Sequence, residues 1–213
     1  MMMYLLGMAE YDIDSFLATP VKFAGFSPVG TWVDDGTRCD VCHWHGQTRG
    51  EPLLVEWEPS SDVIGDFSWE HPYGFIFVVT DRVAEFLKVH QFECDLLQVE
   101  YVPPHSRRKR GIVPYPYDGP KQWWVECNCF VDLDQKASGV KVETCCEACG
   151  RIEYTFRYKG IVIRKRDWRR QKMFRMTTNG RSKATFVTEE GRMLLEMAGF
   201  TNMMFSEAGE IVR

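Results

Sequence analysis

The apolar positions of this chain fall into short runs, and one of them leads directly into an amphipathic stretch. The run GFIFVV at 74–79 is rich in β-branched and aromatic residues and predicts a buried strand. Thr80 and Asp81 come next and favour a helix start, because a hydroxyl can accept an exposed amide and a carboxylate suits the positive helix end. Apolar residues and one histidine then recur at helical spacing along 83–90.

The same order of features returns near the C-terminus, where ATFVTEE at 184–190 opens a second strand-to-helix segment. A shift of 108 positions places Val79 on Val187 and Thr80 on Thr188 without a gap. Two Cys-x-x-Cys motifs repeat at almost the same offset, 107. The pattern predicts an internal duplication, and with it an α+β fold of two related strand-plus-helix halves with mixed or antiparallel sheets.

Charge and proline content divide the chain into three parts. An acidic N-terminal half is predicted over 1–105, a Pro-rich basic linker or loop over 106–122, and a basic C-terminal half over 123–213. Residues 1–107 carry 6 Lys and Arg against 17 Asp and Glu, a net charge of −11, whereas 108–213 carry +7. The two halves either partly neutralise each other in the fold or face partners of opposite charge.

The N-terminal sequence MMMYLLGMAEYDID has no basic leader region and becomes acidic within ten residues, which is not the pattern of a secretory signal. No apolar run reaches the length of about 18 residues that a membrane span needs. We therefore expect a cytoplasmic protein with no membrane partner. In that compartment we expect the 8 cysteines to be metal ligands or free thiols rather than disulfides.

The two Cys-x-x-Cys elbows are the strongest chemical signal in the chain. Each elbow puts two sulfurs on one tight turn, and zinc prefers four tetrahedral thiolate ligands in structural sites. The sequence therefore predicts one structural zinc per chain in a zinc-ribbon-like site that clamps the two halves together. Its ligands are Cys39, Cys42, Cys146 and Cys149.

Other assignments of the cysteines remain open on spacing alone. Cys127 and Cys129 can form a separate site with the second elbow, and His43 or His45 would then complete a weaker first site. Buried free cysteines are a further possibility, and a dithiol redox site is another. Gly150 follows the second elbow and permits a positive φ, whereas His43 follows the first.

No catalytic motif emerges from the sequence: it has no Gly-rich phosphate loop, no His-Glu-x-x-His and no Gly-x-Ser-x-Gly. We therefore expect a binding protein and not an enzyme. Basic runs lie at 107–110 and 164–172, and the second interleaves a tryptophan with cations. This favours either a solvated edge or, as the alternative function, a zinc-ribbon nucleic-acid-binding or regulatory protein. That alternative would use Lys165, Arg166, Trp168 and Arg170.

The order of segments resembles a known family. The two elbows are accompanied by IGDFSW at 64–69, VVTDRV at 78–83, MFR at 173–175, FVTE at 186–189 and GFTN at 199–202. Together they resemble the double-CXXCG motif proteins over about residues 36–213, although His43 stands where the family's first motif has glycine. Members of that family are described as immunity proteins of bacterial polymorphic toxin systems.

The resemblance implies an antitoxin that binds and neutralises a cognate toxin protein and has no enzymatic activity. By position, the family's cysteines correspond to Cys39, Cys42, Cys146 and Cys149 in this sequence. If the toxin is a basic nuclease, charge complementarity favours the acidic first half as the contact surface, with Asp62, Asp66 and Glu70 as candidate partner-binding residues.

Overall fold

A computed structural model describes residues 1–7, 22–30, 32–43, 45–59, 61–71, 74–105, 112–155, 159–177 and 184–213. Over these residues the protein is mostly β, with two short helices and two mixed six-stranded sheets. The described chain contains no helix long and apolar enough to cross a membrane.

The first part of the chain forms eight strands and one helix. Their bounds are β1 Met2–Gly7, β2 Phe26–Val29, β3 Trp32–Arg38, β4 His45–Arg49, β5 Leu53–Trp57, β6 Phe67–Trp69, β7 Phe77–Thr80, α1 Asp81–Val89 and β8 Asp95–Tyr101.

The rest of the chain repeats this succession, again with the helix between the seventh and eighth strands. The bounds are β9 Gln122–Glu126, β10 Phe130–Val131, β11 Val142–Cys145, β12 Ile152–Tyr154, β13 Ile161–Arg164, β14 Met173–Met176, β15 Phe186–Thr188, α2 Glu189–Met197 and β16 Met204–Val212. Each described strand of the first series therefore has its counterpart eight strands later.

The two sheets have the same topology. The first has the order β2-β5-β8-β9-β7-β6, and the second runs β10-β14-β15-β1-β16-β13. The pairs β5–β8 and β13–β16 are both parallel, whereas β6–β7 and β14–β15 are both antiparallel. Isolated bridges between Phe26 and Glu70, and between Leu133 and Ile163, join the ends of each sheet into a barrel-like ring. The internal duplication predicted from the sequence is confirmed by this topology.

The two units exchange their first strands. β1 lies between β15 and β16 of the second sheet, and its counterpart β9 lies between β7 and β8 of the first. The sheets therefore do not follow the order of the chain, since each is completed by a strand from the other part of the sequence. The predicted division into parts at residues 105 and 123 stays a prediction.

The hydrophobic core lies inside the two sheets and between them. Side chains of β6, β7 and α1 pack in one shared cluster with Met173, Val187, Leu195 and Phe200 of the second unit. Each sheet also has its own cluster, around Trp57 and Trp124 in the first and around Phe174 and Phe186 in the second. The shared cluster joins the units through apolar burial, the main favourable term in folding.

Two local predictions are corrected. The sequence pattern at 152–158 and 161–164 predicts a hairpin around Lys159 and Gly160. In the structure β12 pairs with β11 and β13 pairs with β16, so the turn at Gly160 separates strands of different sheets. Thr80 stands at the N-cap of α1 without a side-chain cap bond, whereas the Thr188 hydroxyl accepts the Gly191 amide at 3.2 Å and caps α2.

Candidate metal centre

The two Cys-x-x-Cys elbows are the turns of equivalent two-stranded hairpins. Cys39 follows β3, and β3 pairs with β4; Cys146 follows β11, and β11 pairs with β12. The hairpins occupy the same place in their units, so the predicted offset of 107 residues relates the elbows in space as well as in sequence. The duplication therefore explains how ligands more than a hundred residues apart can meet.

The four predicted sulfurs converge on one point. All four Sγ atoms, those of Cys39, Cys42, Cys146 and Cys149, lie within 4.8 Å of one another. Across the two units, Cys39 Sγ lies 3.7 Å from Cys146 Sγ, and Cys42 Sγ lies 3.8 Å from Cys149 Sγ. A tetrahedral ion with metal–sulfur bonds of about 2.3 Å holds its ligands about 3.8 Å apart. The four-cysteine group can therefore hold one metal ion, and it bridges two regions of the chain.

Backbone amides stabilise the inner sulfur of each elbow. The amides of Cys42 and Val41 donate to Cys39, which lowers the pKa of that thiol to about 6. Equivalent donation from Cys149, with a smaller effect from the Ala148 amide, lowers the pKa of Cys146. Hydrogen bonds to a thiolate favour the charged form, which is the form that coordinates a metal.

Cys149 behaves differently from the inner sulfurs. The Arg151 amide donates to Cys149 and lowers its pKa, but desolvation and hydrogen bonds to the neighbouring thiols outweigh this and raise the pKa to about 12. Four sulfurs this close cannot all ionise without a cation, because like charges repel. A divalent metal bound by the four sulfurs would supply the compensating positive charge.

The residues that follow the two elbows share an unusual backbone conformation. Gly150 has a φ of 71°, and His43, its counterpart 107 positions earlier, has a φ of 55°. Both lie in the left-handed region, which glycine adopts freely and other residues adopt at a cost. The first elbow therefore keeps the geometry of the second although histidine replaces glycine.

The alternative site built from Cys127 and Cys129 is not supported. The His45 side chain lies outside the described residues, and a dithiol redox site stays a prediction. Among the described residues, the four elbow sulfurs are the one group of three or more candidate ligands that converges. Cys127 is buried and donates to the carbonyls of Glu93 and Cys129, and burial raises its pKa to about 12. Cys94 has its pKa raised to about 12 for the same reason. Both thiols are neutral core side chains at neutral pH, and Cys129 packs at the edge of the same core.

The predicted acidic contact residues do not form one open surface. Asp62 is exposed, but Glu70 is buried. Asp66 accepts hydrogen bonds from the amide and the hydroxyl of Thr201, at 2.9 and 3.0 Å. Asp66 therefore ties β6 to the loop after α2, which is a structural role within the chain. The partner-binding role of these three residues stays a prediction.

The predicted nucleic-acid residues lie in one loop after β13. Lys165, Arg166 and Arg170 are exposed, and Arg166 lies 3.7 Å from the Asp167 carboxylate. Trp168 is half-buried, packs against the core of the second sheet and donates its indole N–H to the Gln171 carbonyl at 3.0 Å. Its ring is thus part of the fold and not a free stacking platform. The basic run at 107–110 lies outside the described residues.

The sequence located the sulfurs but not the amides that bind them. Val41, Ala148 and Arg151 have side chains unrelated to metal binding, so only the tight turn implied by Cys-x-x-Cys could have indicated their amides.

A scan against protein-family models finds no match to this chain, and a search of curated proteins finds no similar one.

Proposed function

We propose that this chain is an immunity protein, which binds and neutralises a cognate toxin protein and whose two units are clasped by one structural zinc ion. The observation that carries the proposal is the convergence of two elbows from equivalent hairpins, which brings four sulfurs within 4.8 Å of one another. Two such elbows are the defining feature of the double-CXXCG family, to which the order of segments points.

The donor set supports zinc and a structural role. Four thiolates are a preferred set for tetrahedral zinc, and catalytic zinc sites keep one position open for water or substrate. Cys39, Cys42, Cys146 and Cys149 would together supply all four ligands. The metal would therefore stabilise the fold and add no reaction, which is in keeping with a protein that acts by binding.

The test uses the open reading frame immediately upstream of this gene. We expect its product to arrest growth of a bacterial host when expressed alone and growth to be restored when this chain is co-expressed. Purified together, the two proteins should form a complex of fixed stoichiometry, measured by calorimetry. A chain that neither restores growth nor binds that product would contradict the proposal.

The alternative, nucleic-acid binding, is separated by a gel shift with mixed DNA and RNA at two salt concentrations. Phosphate binding would weaken steeply between about 50 and 200 mM salt. The lysine and arginines of the loop after β13 are exposed, which is the feature that favours this alternative. Because Trp168 is engaged within the fold, we expect no shift.

A further inference from the structure

The sulfurs of the metal centre differ in their exposure to solvent. Cys39 is buried and Cys146 is half-buried, whereas Cys42 and Cys149 are both exposed. The two exposed sulfurs belong to different units and lie 3.8 Å apart. A groove of about 820 Å³ opens beside Cys42 and is also lined by Cys146 of the second elbow. Because Cys42 and Cys149 are the exposed members of the two elbows, a small polar oxidant has access to this outer pair before it reaches the buried Cys39.

We propose that Cys42 and Cys149 form a redox-modification site, at which a hydroperoxide joins the two units by a disulfide and displaces the metal. The inference rests on the four-cysteine site of the proposed function, whose regulation it describes. It does not depend on the identity of the toxin.

The chemistry needs the peroxide as the only added reactant. One outer thiolate attacks an oxygen of hydrogen peroxide, the O–O bond breaks, hydroxide leaves and the sulfur becomes a sulfenic acid. The other outer thiolate attacks that sulfur, the S–S bond forms and a second hydroxide leaves. The two sulfurs together lose two electrons, which reduce the peroxide. The disulfide removes two of the four thiolate ligands, so the metal would be held by only two and would dissociate.

The exposed pair is favoured over a disulfide within one elbow. Each elbow combines an exposed sulfur with a shielded one, so the pair between units is the one in which both sulfurs are exposed. Cys39 also accepts the amides of Val41 and Cys42, and these hydrogen bonds must break if its sulfur moves. A disulfide bond of about 2.05 Å requires the outer sulfurs to approach by about 1.7 Å, which two side chains at the surface can do.

Peptide mapping of the oxidised full chain distinguishes the possible disulfides. Trypsin cleaves after Arg38, Arg49, Lys141 and Arg151, so the first elbow lies on peptide 39–49 and the second on 142–151. The zinc-loaded protein is treated with hydrogen peroxide at less than one equivalent, free thiols are alkylated, and the digest is analysed by mass spectrometry. We expect the two peptides to be joined through Cys42 and Cys149, with zinc released in proportion.

Two variants sharpen the test. Cys145→Ser removes an exposed thiol beside the site and should leave the joined peptides unchanged. Cys42→Ser should abolish the Cys42–Cys149 product while Cys145 stays alkylated. In the wild-type protein, a disulfide between Cys39 and Cys42 with the two peptides left separate, or oxidation of Cys145 before the other cysteines, would overturn the inference. These outcomes are read from the wild-type digest and do not depend on whether Cys42→Ser folds. A purified chain without metal would instead contradict the zinc site of the proposed function, and zinc content is therefore counted before oxidation.

Discussion

At the scale of single residues, His43 is the point at which two otherwise equivalent elbows differ. The backbone there is left-handed, with a φ of 55°, although a side chain with a Cβ disfavours that region. The side chain is exposed and makes no ion pair among the described contacts. His43 thus retains the elbow geometry at a conformational cost that glycine avoids.

We expect His43→Gly to raise the free energy of unfolding by about 0.5–1 kcal/mol, because glycine adopts a positive φ without the steric penalty. The matched variant Gly150→Ala should lower it by about 1 kcal/mol. Apart from the two adjacent residues, none of the described atoms lies within 4 Å of the Cβ that alanine would add at Gly150, so this loss comes from the backbone alone. Denaturant unfolding of the metal-loaded protein measures both, and two changes of the same sign would contradict the account.

Asp66 shows why an acidic residue in the first half need not be a contact for a partner. Its carboxylate accepts two hydrogen bonds from Thr201 of the second unit and lies 3.9 Å from the Arg82 guanidinium. Asp62 is exposed four residues earlier and serves as a matched control.

We expect Asp66→Ala to lower the free energy of unfolding by about 1.5–3 kcal/mol, since hydrogen bonds to a charged group are lost. Asp62→Ala should change it by less than about 0.5 kcal/mol, as is usual for surface substitutions. Thermal and denaturant unfolding of the two variants side by side measure the difference. Equal stability of the two would remove the structural role assigned to Asp66.

At the scale of elements, the two helices are related by the repeat but begin differently. Both are nine residues long, follow a buried strand and start after a threonine. The Thr188 hydroxyl accepts the Gly191 amide, whereas the Thr80 hydroxyl donates to Asp66 at 3.4 Å. Sequence analysis could locate both helix starts from the same residue types, but not the competition from Asp66, which lies 14 residues earlier, before β6, and not within the helix start itself.

We expect Thr188→Val to destabilise the protein by about 1 kcal/mol more than Thr80→Val, because only the first removes an N-cap hydrogen bond. Valine keeps the shape of threonine, and both positions are buried, so the packing change is similar. Equilibrium unfolding measures the difference between the variants. A larger loss at Thr80 would show that its hydroxyl, and not that of Thr188, stabilises a helix start.

The elements that sequence analysis identified are those set by local pattern. Buried apolar runs predicted the strands before both helices, and helical spacing predicted α1. The expected hairpin at Gly160 was wrong because a glycine with a φ of 74° suits many turns, while the partner of β13 lies more than forty residues away in β16. Pairing between distant strands depends on contacts that no local pattern contains.

At the scale of the whole molecule, the exchange of β1 and β9 links the two units more firmly than a linker would. Met3 of β1 is fully buried among Phe174, Phe186 and Ile211 of the second sheet. The N-terminal strand is therefore part of the second unit in three dimensions. Neither the charge division nor the position of the Pro-rich segment could predict this, because both follow the order of the chain.

We expect Met3→Ala to destabilise the second sheet by about 2–5 kcal/mol, the usual cost of emptying a buried methionine site. Hydrogen exchange followed by mass spectrometry should show faster exchange in β14, β15 and β16. The strands β2 and β5 of the first sheet should change least, although they are nearer to Met3 in sequence. Deprotection confined to β2 and β5 would contradict the exchanged arrangement.

The proposed metal centre is one ion held by four sulfurs drawn equally from two related units. X-ray absorption spectroscopy of the purified protein, combined with metal counting, measures this coordination. The account predicts about one zinc per chain with four sulfur neighbours at about 2.3 Å, and loss of that zinc in Cys42→Ser and Cys149→Ser alike. A metal-free protein, or a metal with nitrogen or oxygen neighbours that persists when either elbow is mutated, would contradict it.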